Sequence, residues 1–321
     1  PVEEDDREII KVVKLGSIVL PSRYLTEIVK KLPEDEVEIE VRDQFITIIR
    51  SGQAEFNLNG LDADEYPRLP EIEENQVIQI PSDLLKTVIR QTVFAASAQE
   101  SRPILTGALW QLENNQLTVV ATDSHRLAQR KIRVTGDPQL SFNNVVIPGK
   151  SLQELSRLID GETGEVHIVV TSNQIMAKAN RLLFFSRLLE GTYPDISRII
   201  PQTSKTKLIM ENKQLTQAIE RSILLARDGK HVVRLTTEES NMIQLTSTTP
   251  EVGRVVEHVP AQEVSGEELN ISFNARYVLE ALRALDSEQI QIDFTGSMSP
   301  FVIKPTDHDD IIHLVLPVRT Y

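Results

Sequence analysis

The chain contains no cysteine. That excludes disulfides, thiolate metal sites, iron–sulfur clusters and a cysteine nucleophile. It fits a reducing compartment. No apolar run approaches the roughly 18 residues that would suggest a membrane-spanning helix. The opening stretch, PVEEDDREII, is acidic where a secretory signal would be basic. It also begins without Met, so a processed or cut N-terminus is expected. Net positive charge is missing too: 34 Lys and Arg face 47 Asp and Glu, for a net charge of −13. A simple electrostatic binder of nucleic acid would be basic overall. Any such role therefore depends on where the basic residues are concentrated. There is no Gly-rich phosphate loop and no G-x-S-x-G elbow. The six histidines, His125, His167, His231, His258, His308 and His313, are scattered.

What is present is an internal repeat. The 321 residues, 40% hydrophobic and 25% charged, suit a soluble protein of two or three domains. IVLPSRYLTEIVKKL (18–32) aligns with VVIPGKSLQELSRLI (145–159) at an offset of 127, and ISFNARYVLEALRAL (271–285) follows at an offset of 126. Each copy reads as a short strand running into a helix. Each helix sets an apolar stripe against a basic one: Leu25, Ile28 and Leu32; Leu152, Leu155 and Ile159; Val278, Ala281 and Leu285. Alternating segments at 37–49, 165–179 and 289–303 read as hairpins after these helices. A second repeat matches 76–95 with 205–226, each followed by strands, at 106–123 and 232–249. EYPRLP (65–70) and TYPDIS (192–197) recur as well.

A full module is thus two β-rich halves, each with one helix. The expected domains are 1–75 (a second half only), 76–202 and 203–321. Residue 1 corresponds by offset to Ala128, so about 50 residues of a full repeat are expected to be absent, as in a fragment or a shortened paralogue.

The helices also hold the missing positive charge. Windows 21–31, 82–96, 148–159, 211–227 and 274–285 contain 12 basic and 6 acidic residues, a surplus of +6 that leaves −19 elsewhere. A basic helical surface and an acidic sheet surface are expected.

Two local patterns bear on function. ATDSHRLAQR (121–130) is the densest polar cluster. Asp123 and His125 are an acid/base or metal pair in one reading. In the other, they form a tight turn that Asp123 caps and from which Arg126 projects. The C-terminal IIHLVLPVRTY (311–321) reads either as an edge strand or as one wall of an apolar groove suited to peptide capture.

ATDSHRLA, the modular repeat and the ending LVLPVRTY together resemble the bacterial DNA sliding clamps, the beta subunit of DNA polymerase III. The resemblance covers the whole chain. It implies an α+β DNA-clamp fold: repeated modules with antiparallel sheets outside and two helices per module inside. It implies a non-enzymatic processivity factor with no catalytic residue, metal or cofactor, closed head to tail into a homodimeric ring around duplex DNA. The implied setting is the bacterial cytoplasm, at the nucleoid. The residues implied to face DNA are Arg23, Lys30, Lys86, Arg90, Gln99, Arg102, Lys150, Arg157, Lys213, Arg221, Arg276 and Arg283. Pro103 and Ile104 stand where well-known members have aromatics, and Ser124 where many have Gly.

The resemblance further implies a pocket for short peptides resembling Gln-Leu-x-Leu-Phe, carried by the polymerase, the clamp loader and repair proteins. Its second-module walls would be Leu105, Thr122, Ser124, His125, Arg126 and Leu127, with Pro194, Arg198 and Ile199 from the connector. The third module would add Asn274, Tyr277, Met298 and Pro300, then Leu314, Leu316, Pro317, Val318 and Arg319. Ring closure would use Phe56 and Leu58 against Ile223 and Leu224. Two alternatives stand beside this reading: a metal-dependent DNA-processing hydrolase using Asp123 and His125, and a peptide-binding scaffold that never encircles DNA.

Overall fold

A computed structural model describes residues 10–66, 76–161, 164–180, 182–196, 198–226 and 231–319. Ser197, Arg227 and most of the EYPRLP segment lie outside the described residues. The chain forms two compact units, Pro1–Glu71 and Ile72–Tyr321.

In the first unit, helix α1 (Ser22–Val29) precedes strands β1 (Glu38–Val41), β2 (Ile46–Ser51) and β3 (Ala54–Asn59), which pair as an antiparallel sheet in that order. The expected hairpin is present, with Glu38 opposite Arg50 and Val41 opposite Thr47. Ile48 and Ile49 are buried, but α1 buries no residue.

The second unit holds two copies of one chain path. The first is β4 (Val77–Pro81), α2 (Ser82–Thr92), β5 (Gly107–Glu113), β6 (Gln116–Thr122), β7 (Arg126–Arg133), β8 (Phe142–Pro148), α3 (Gly149–Leu158), β9 (Glu165–Val170), β10 (Gln174–Ala179) and β11 (Leu182–Arg187). The second is β12 (Thr206–Glu211), α4 (Asn212–Ile223), β13 (Val232–Glu238), β14 (Met242–Thr249), β15 (Gly253–Pro260), β16 (Glu263–Gly266), β17 (Asn270–Asn274), α5 (Ala275–Ala284), β18 (Gln289–Phe294), β19 (Phe301–Pro305) and β20 (Ile311–Val315).

Strand passes to helix without a loop. The residues before α2 and α3 are Pro81 and Pro148, whose rings hold φ near −54° in extended backbone at the point of exit. α5 is instead capped by the Asn274 side chain, which accepts from the Arg276 N–H at 3.0 Å. The matching hairpins β5–β6 and β13–β14 both turn on two residues of positive φ, Asn114–Asn115 and Ser240–Asn241. The pair recurs at the repeat spacing, in a two-residue loop in the first hairpin and a three-residue loop in the second.

The helices bury their apolar stripes: Leu85, Val88 and Ile89 in α2, Leu152 and Leu155 in α3, Leu215, Ala218 and Ile219 in α4, and Val278, Leu279, Ala281 and Leu282 in α5. They pack side by side in the order α3, α2, α5, α4 as one helical layer. Four-stranded sheets β11-β10-β9-β4 and β15-β14-β13-β17 lie at the two ends. A nine-stranded sheet, β16-β12-β18-β19-β20-β7-β6-β5-β8, joins the copies. The fold is therefore α+β, with modules of antiparallel sheet and two helices each, as expected.

One expectation is corrected. β20 is no edge strand: it lies between β19 and β7, its partners running from Ile311 opposite Arg130 to Val315 opposite Arg126. Its residues are mostly buried because both backbone edges are paired and both faces are covered. Side chains reinforce this seam. Arg130 pairs with Asp310 at 2.6 Å, and Arg90 with Asp286 at 2.5 Å while also donating to the Ala284 carbonyl. His313, 1% exposed, lies with Nδ1 3.1 Å from the Ala281 carbonyl and Nε2 3.0 Å from that of Gln91. Burial pushes its pKa down to about 4, against the opposing pull of the two carbonyls.

Candidate functional site

The DSH segment is a turn between β6 and β7. Ser124 takes φ 75°, a left-handed conformation in which a side chain is disfavoured. The turn is held by Asp123, whose Oδ1 accepts from the N–H groups of His125 (2.9 Å) and Arg126 (3.1 Å). Its other oxygen accepts from Arg126 Nε at 3.0 Å. Thr122 Oγ1 donates to the Arg126 carbonyl and accepts from the Ser124 N–H. The hydrolase alternative fails on this geometry. Both Asp123 oxygens are engaged in the turn, and His125 Nδ1 stands 4.0 Å away on a mostly exposed ring. No cluster of three metal-ligating side chains occurs among the described residues.

Arg126, which the resemblance places among the pocket walls, would offer donors there if its guanidinium were free. Its guanidinium is instead largely spent: besides Asp123, it donates to the Phe94 carbonyl at 2.7 Å and to Glu280. It also lies over the Tyr277 ring, 4.6 Å from the centroid. Only 10% of its side chain is exposed. It ties the turn of one module to α5 of the next. Burial, followed by the nearby Asp123 charge, raises the Tyr277 pKa.

On the outer face of the long sheet, Leu105, Leu109, Val120, Leu127, Val146, Tyr193, Ile196, Val302 and Leu314 form one apolar cluster. Ile200, Ile312 and Leu316 pack at its margin. Among the expected pocket residues, Leu105, Leu127, Leu314 and Leu316 therefore meet. The chain beyond β20 is pinned on both modules: the Leu316 N–H donates to the His125 carbonyl (2.9 Å), Pro317 bridges to Phe273, and the Val318 N–H donates to the Ser272 carbonyl (2.7 Å). The rings of His125 and Tyr277 lie 6.4 Å apart across the same seam. Pro194, Arg198 and Ile199 are exposed on the connector, where Arg198 approaches Asp195 at 3.9 Å. Met298, 57% exposed, and Pro300 lie in the β18–β19 hairpin, and Arg319 is exposed.

Tyr193 was not foreseen as part of this region. Its hydroxyl accepts from the Thr122 N–H at 3.1 Å, so the connector is anchored to the turn. Burial pushes its pKa well up. The recurring TYPDIS was visible in the sequence, but nothing local indicated the partner.

The basic residues of α2–α5 lie mostly exposed on the helical layer, and many are already paired. Lys86 meets Asp160, Arg157 meets Glu154 at 2.8 Å, Arg221 meets Glu257, and Arg283 meets Glu220 at 2.7 Å. Lys150, Lys213 and Arg276 have no ion-pair partner among the described residues. Gln99 and Arg102 are exposed in the loop after α2, where Arg102 reaches Ser124 Oγ at 3.3 Å. In the first unit, Arg23 lies 3.7 Å from Glu27, and Lys30 is exposed just past α1. Phe56 and Leu58 are half-buried on β3, an edge strand. Ile223 packs on the third module's core, and Leu224 is 55% exposed.

Repeated sheet-and-helix modules fused through one sheet, with an apolar cluster at the seam, define a modular binding protein rather than a catalytic centre. Three family models match in chain order: DNA polymerase III beta subunit N-terminal domain over residues 4–70, central domain over 79–195 and C-terminal domain over 197–319. The beta sliding clamp of Bacillus subtilis is 55% identical over 322 residues, covering 100% of this chain and 85% of that relative. The beta sliding clamp of Halalkalibacterium halodurans is 54% identical with the same coverage. The crystal structure of the B. subtilis DNA polymerase sliding clamp superposes with a TM-score of 0.91, at 55% identity, over 99% of this chain and 84% of that one. A Pseudomonas aeruginosa sliding clamp bound to griselimycin gives 0.83 at 30% identity, over 95% and 82%. The chain belongs to the bacterial beta sliding clamp family, the beta subunit of DNA polymerase III. It is a DNA sliding clamp, a processivity factor of replication and not an enzyme.

Proposed function

We propose that the protein encircles duplex DNA as a head-to-tail homodimer and tethers its partners through the groove at the seam between the second and third modules. The observation that carries the tethering role is the apolar cluster of Leu105, Leu127 and Leu314 beside a turn and C-terminal segment pinned to both modules. A preformed, mostly apolar groove with a few fixed polar groups is what short-peptide capture requires. The partners are the polymerase, the clamp loader and repair proteins. The pocket comprises the residues expected from the sequence, with Arg126 acting as a fixed wall rather than a free donor.

The DNA-facing surface is the basic side of the helices. Ion pairing there leaves a mildly positive wall, which suits sequence-independent phosphate contact and sliding. Phe56 and Leu58 of one chain would meet Ile223 and Leu224 of the other at ring closure. The division into 1–75, 76–202 and 203–321 belongs to the same proposal, as does a cytoplasmic site at the nucleoid. No helix among the described residues is long and apolar enough to cross a membrane.

Fluorescence polarisation of a labelled Gln-Leu-x-Leu-Phe peptide tests the pocket, with deletion of residues 317–321 as the control. Saturable binding that is lost on deletion is expected. A folded sample that fails to bind would reopen the non-tethering readings. For the DNA surface, Arg283→Glu should weaken retention on circular DNA and leave peptide affinity unchanged.

A further inference from the structure

The outer face of the long sheet changes character along the strands, in register. One cross-strand row contains Thr122, Leu127 and Leu314. Two residues further along β7, Gln129 lies opposite Val120 and Ile312. Two further still, Lys131 lies opposite Thr118, and Thr118 opposite Gln111. Side chains two apart share a face, so an apolar row gives way to an amide and then to an ammonium group.

The polar rows floor a cavity of about 640 Å³, walled by Ile196 and residues 200–204 of the connector and by Asp293, Lys304 and Asp309. Ile196, Ile200, Val302 and Ile312 belong both to this cavity and to the apolar cluster, so the two are continuous. Gln129 is 6% exposed, and its carboxamide has no hydrogen bond to another side chain or backbone group among the described residues. A carboxamide offers two donors and an acceptor, and those of Gln129 are open to the cavity, where a ligand can meet them. Lys304 is occupied by Asp309 at 2.8 Å and Asp293 at 3.9 Å, and Asp293 also accepts from Gln291. The lining is neutral overall, with Lys131 and Lys304 against Asp293 and Asp309, but both carboxylates lie on Lys304 and Lys131 has no ion-pair partner among the described residues.

We infer that this trough receives an acidic flank of the tethered peptide, its main chain meeting Gln129 and a carboxylate meeting Lys131. The inference rests on the proposed peptide groove. It adds a second, polar recognition element outside the apolar one. From Leu127 to Lys131 along β7 is about 13 Å, at roughly 3.3 Å per residue, so a flank of about four extended residues reaches it. The β6–β7 turn closes the opposite side of the Leu127 row. Only one end of the peptide therefore has a polar floor to follow.

The test compares five labelled peptides in fluorescence polarisation: the Gln-Leu-x-Leu-Phe core, the core with four residues including Asp and Glu at its N-terminus, the same at its C-terminus, and each of these two extensions with Lys in place of the acids. Binding is measured on the intact protein and on Lys131→Glu and Gln129→Leu. One acidic extension, and only one, should tighten binding by about fivefold, the upper range for a partly exposed charge pair. That gain should fade at high salt. Lys131→Glu should abolish it and favour the Lys-bearing version, and Gln129→Leu should reduce it. Core affinity should be unchanged in both variants. Equal affinity of core and extended peptides, or an equal gain at both ends, overturns the inference while leaving the groove intact. Failure of the core itself to bind overturns the groove and this inference together.

Discussion

Helices α1, α3 and α5 carry the same stripe at the same repeat positions, yet they are packed very differently. Leu152, Leu155 and Ile159 are at most 1% exposed, and Val278, Ala281 and Leu285 at most 5%. Their counterparts Leu25, Ile28 and Leu32 are only partly buried. α3 packs on α2, and α5 on α4, whereas no second α-helix occurs among the described residues of the first unit. An amphipathic helix of 8–12 residues gains most of its stability from the surface it covers, not from its own propensity. The same pattern thus specifies a helix in all three places but a core in only two.

This contrast can be broken most sharply by truncation. Leu152→Ala should cost roughly 2–5 kcal/mol, the range for a buried leucine whose site cannot fully collapse. Leu25→Ala should cost well under half as much, and equal shifts in denaturant midpoint would erase the distinction. The pH response is the next largest difference. His313 has its folded pKa depressed, so the stability it contributes is complete above its ordinary value of 6.5 and is lost as pH falls toward about 4. Over that window the loss is of order 3 kcal/mol by linkage. A neutral imidazole has one N–H for the two carbonyls it faces, so protonation also competes with burial here. His313→Leu should flatten this slope.

The first unit has no histidine. Its responsive groups are Glu40, held low by Arg42 and then Arg50, and Glu55, held low by Arg50. Their contribution is present above the ordinary glutamate value of 4.5 and is lost only as pH falls below it. An acid titration that monitors each unit should therefore separate the two onsets. The smallest expected effect is common to both regions: Arg23→Ala and Arg157→Ala break exposed ion pairs within a helix, and neither should move the denaturant midpoint resolvably. A clear shift in one alone would show that its charge is structural.

Much of this was legible beforehand because it is local. The strand-into-helix repeats, the hairpins, the Asp123-capped turn and the basic helical surfaces all follow from period, capping and turn chemistry within a few residues. The seam was not legible in this way. Pairing of β20 with β7 joins segments about 180 residues apart, and nothing in IIHLV states its partner. The roles of Tyr193, His313 and Arg126 share that origin, since each bonds to backbone or carboxylate from a distant stretch. Arg126 shows the consequence: its sequence neighbours suggest a free donor, while Phe94 and Glu280 have already engaged it.

By itself the sequence determined the modules, their helices and the segregation of charge, because side-chain periodicity acts through the nearest turns and strand neighbours. The tertiary structure alone decided which sheets fuse, which helices acquire a core, and where an apolar row meets Gln129 and Lys131. Those outcomes depend on strand register across the seam, and a shift of one residue would turn every such side chain to the opposite face.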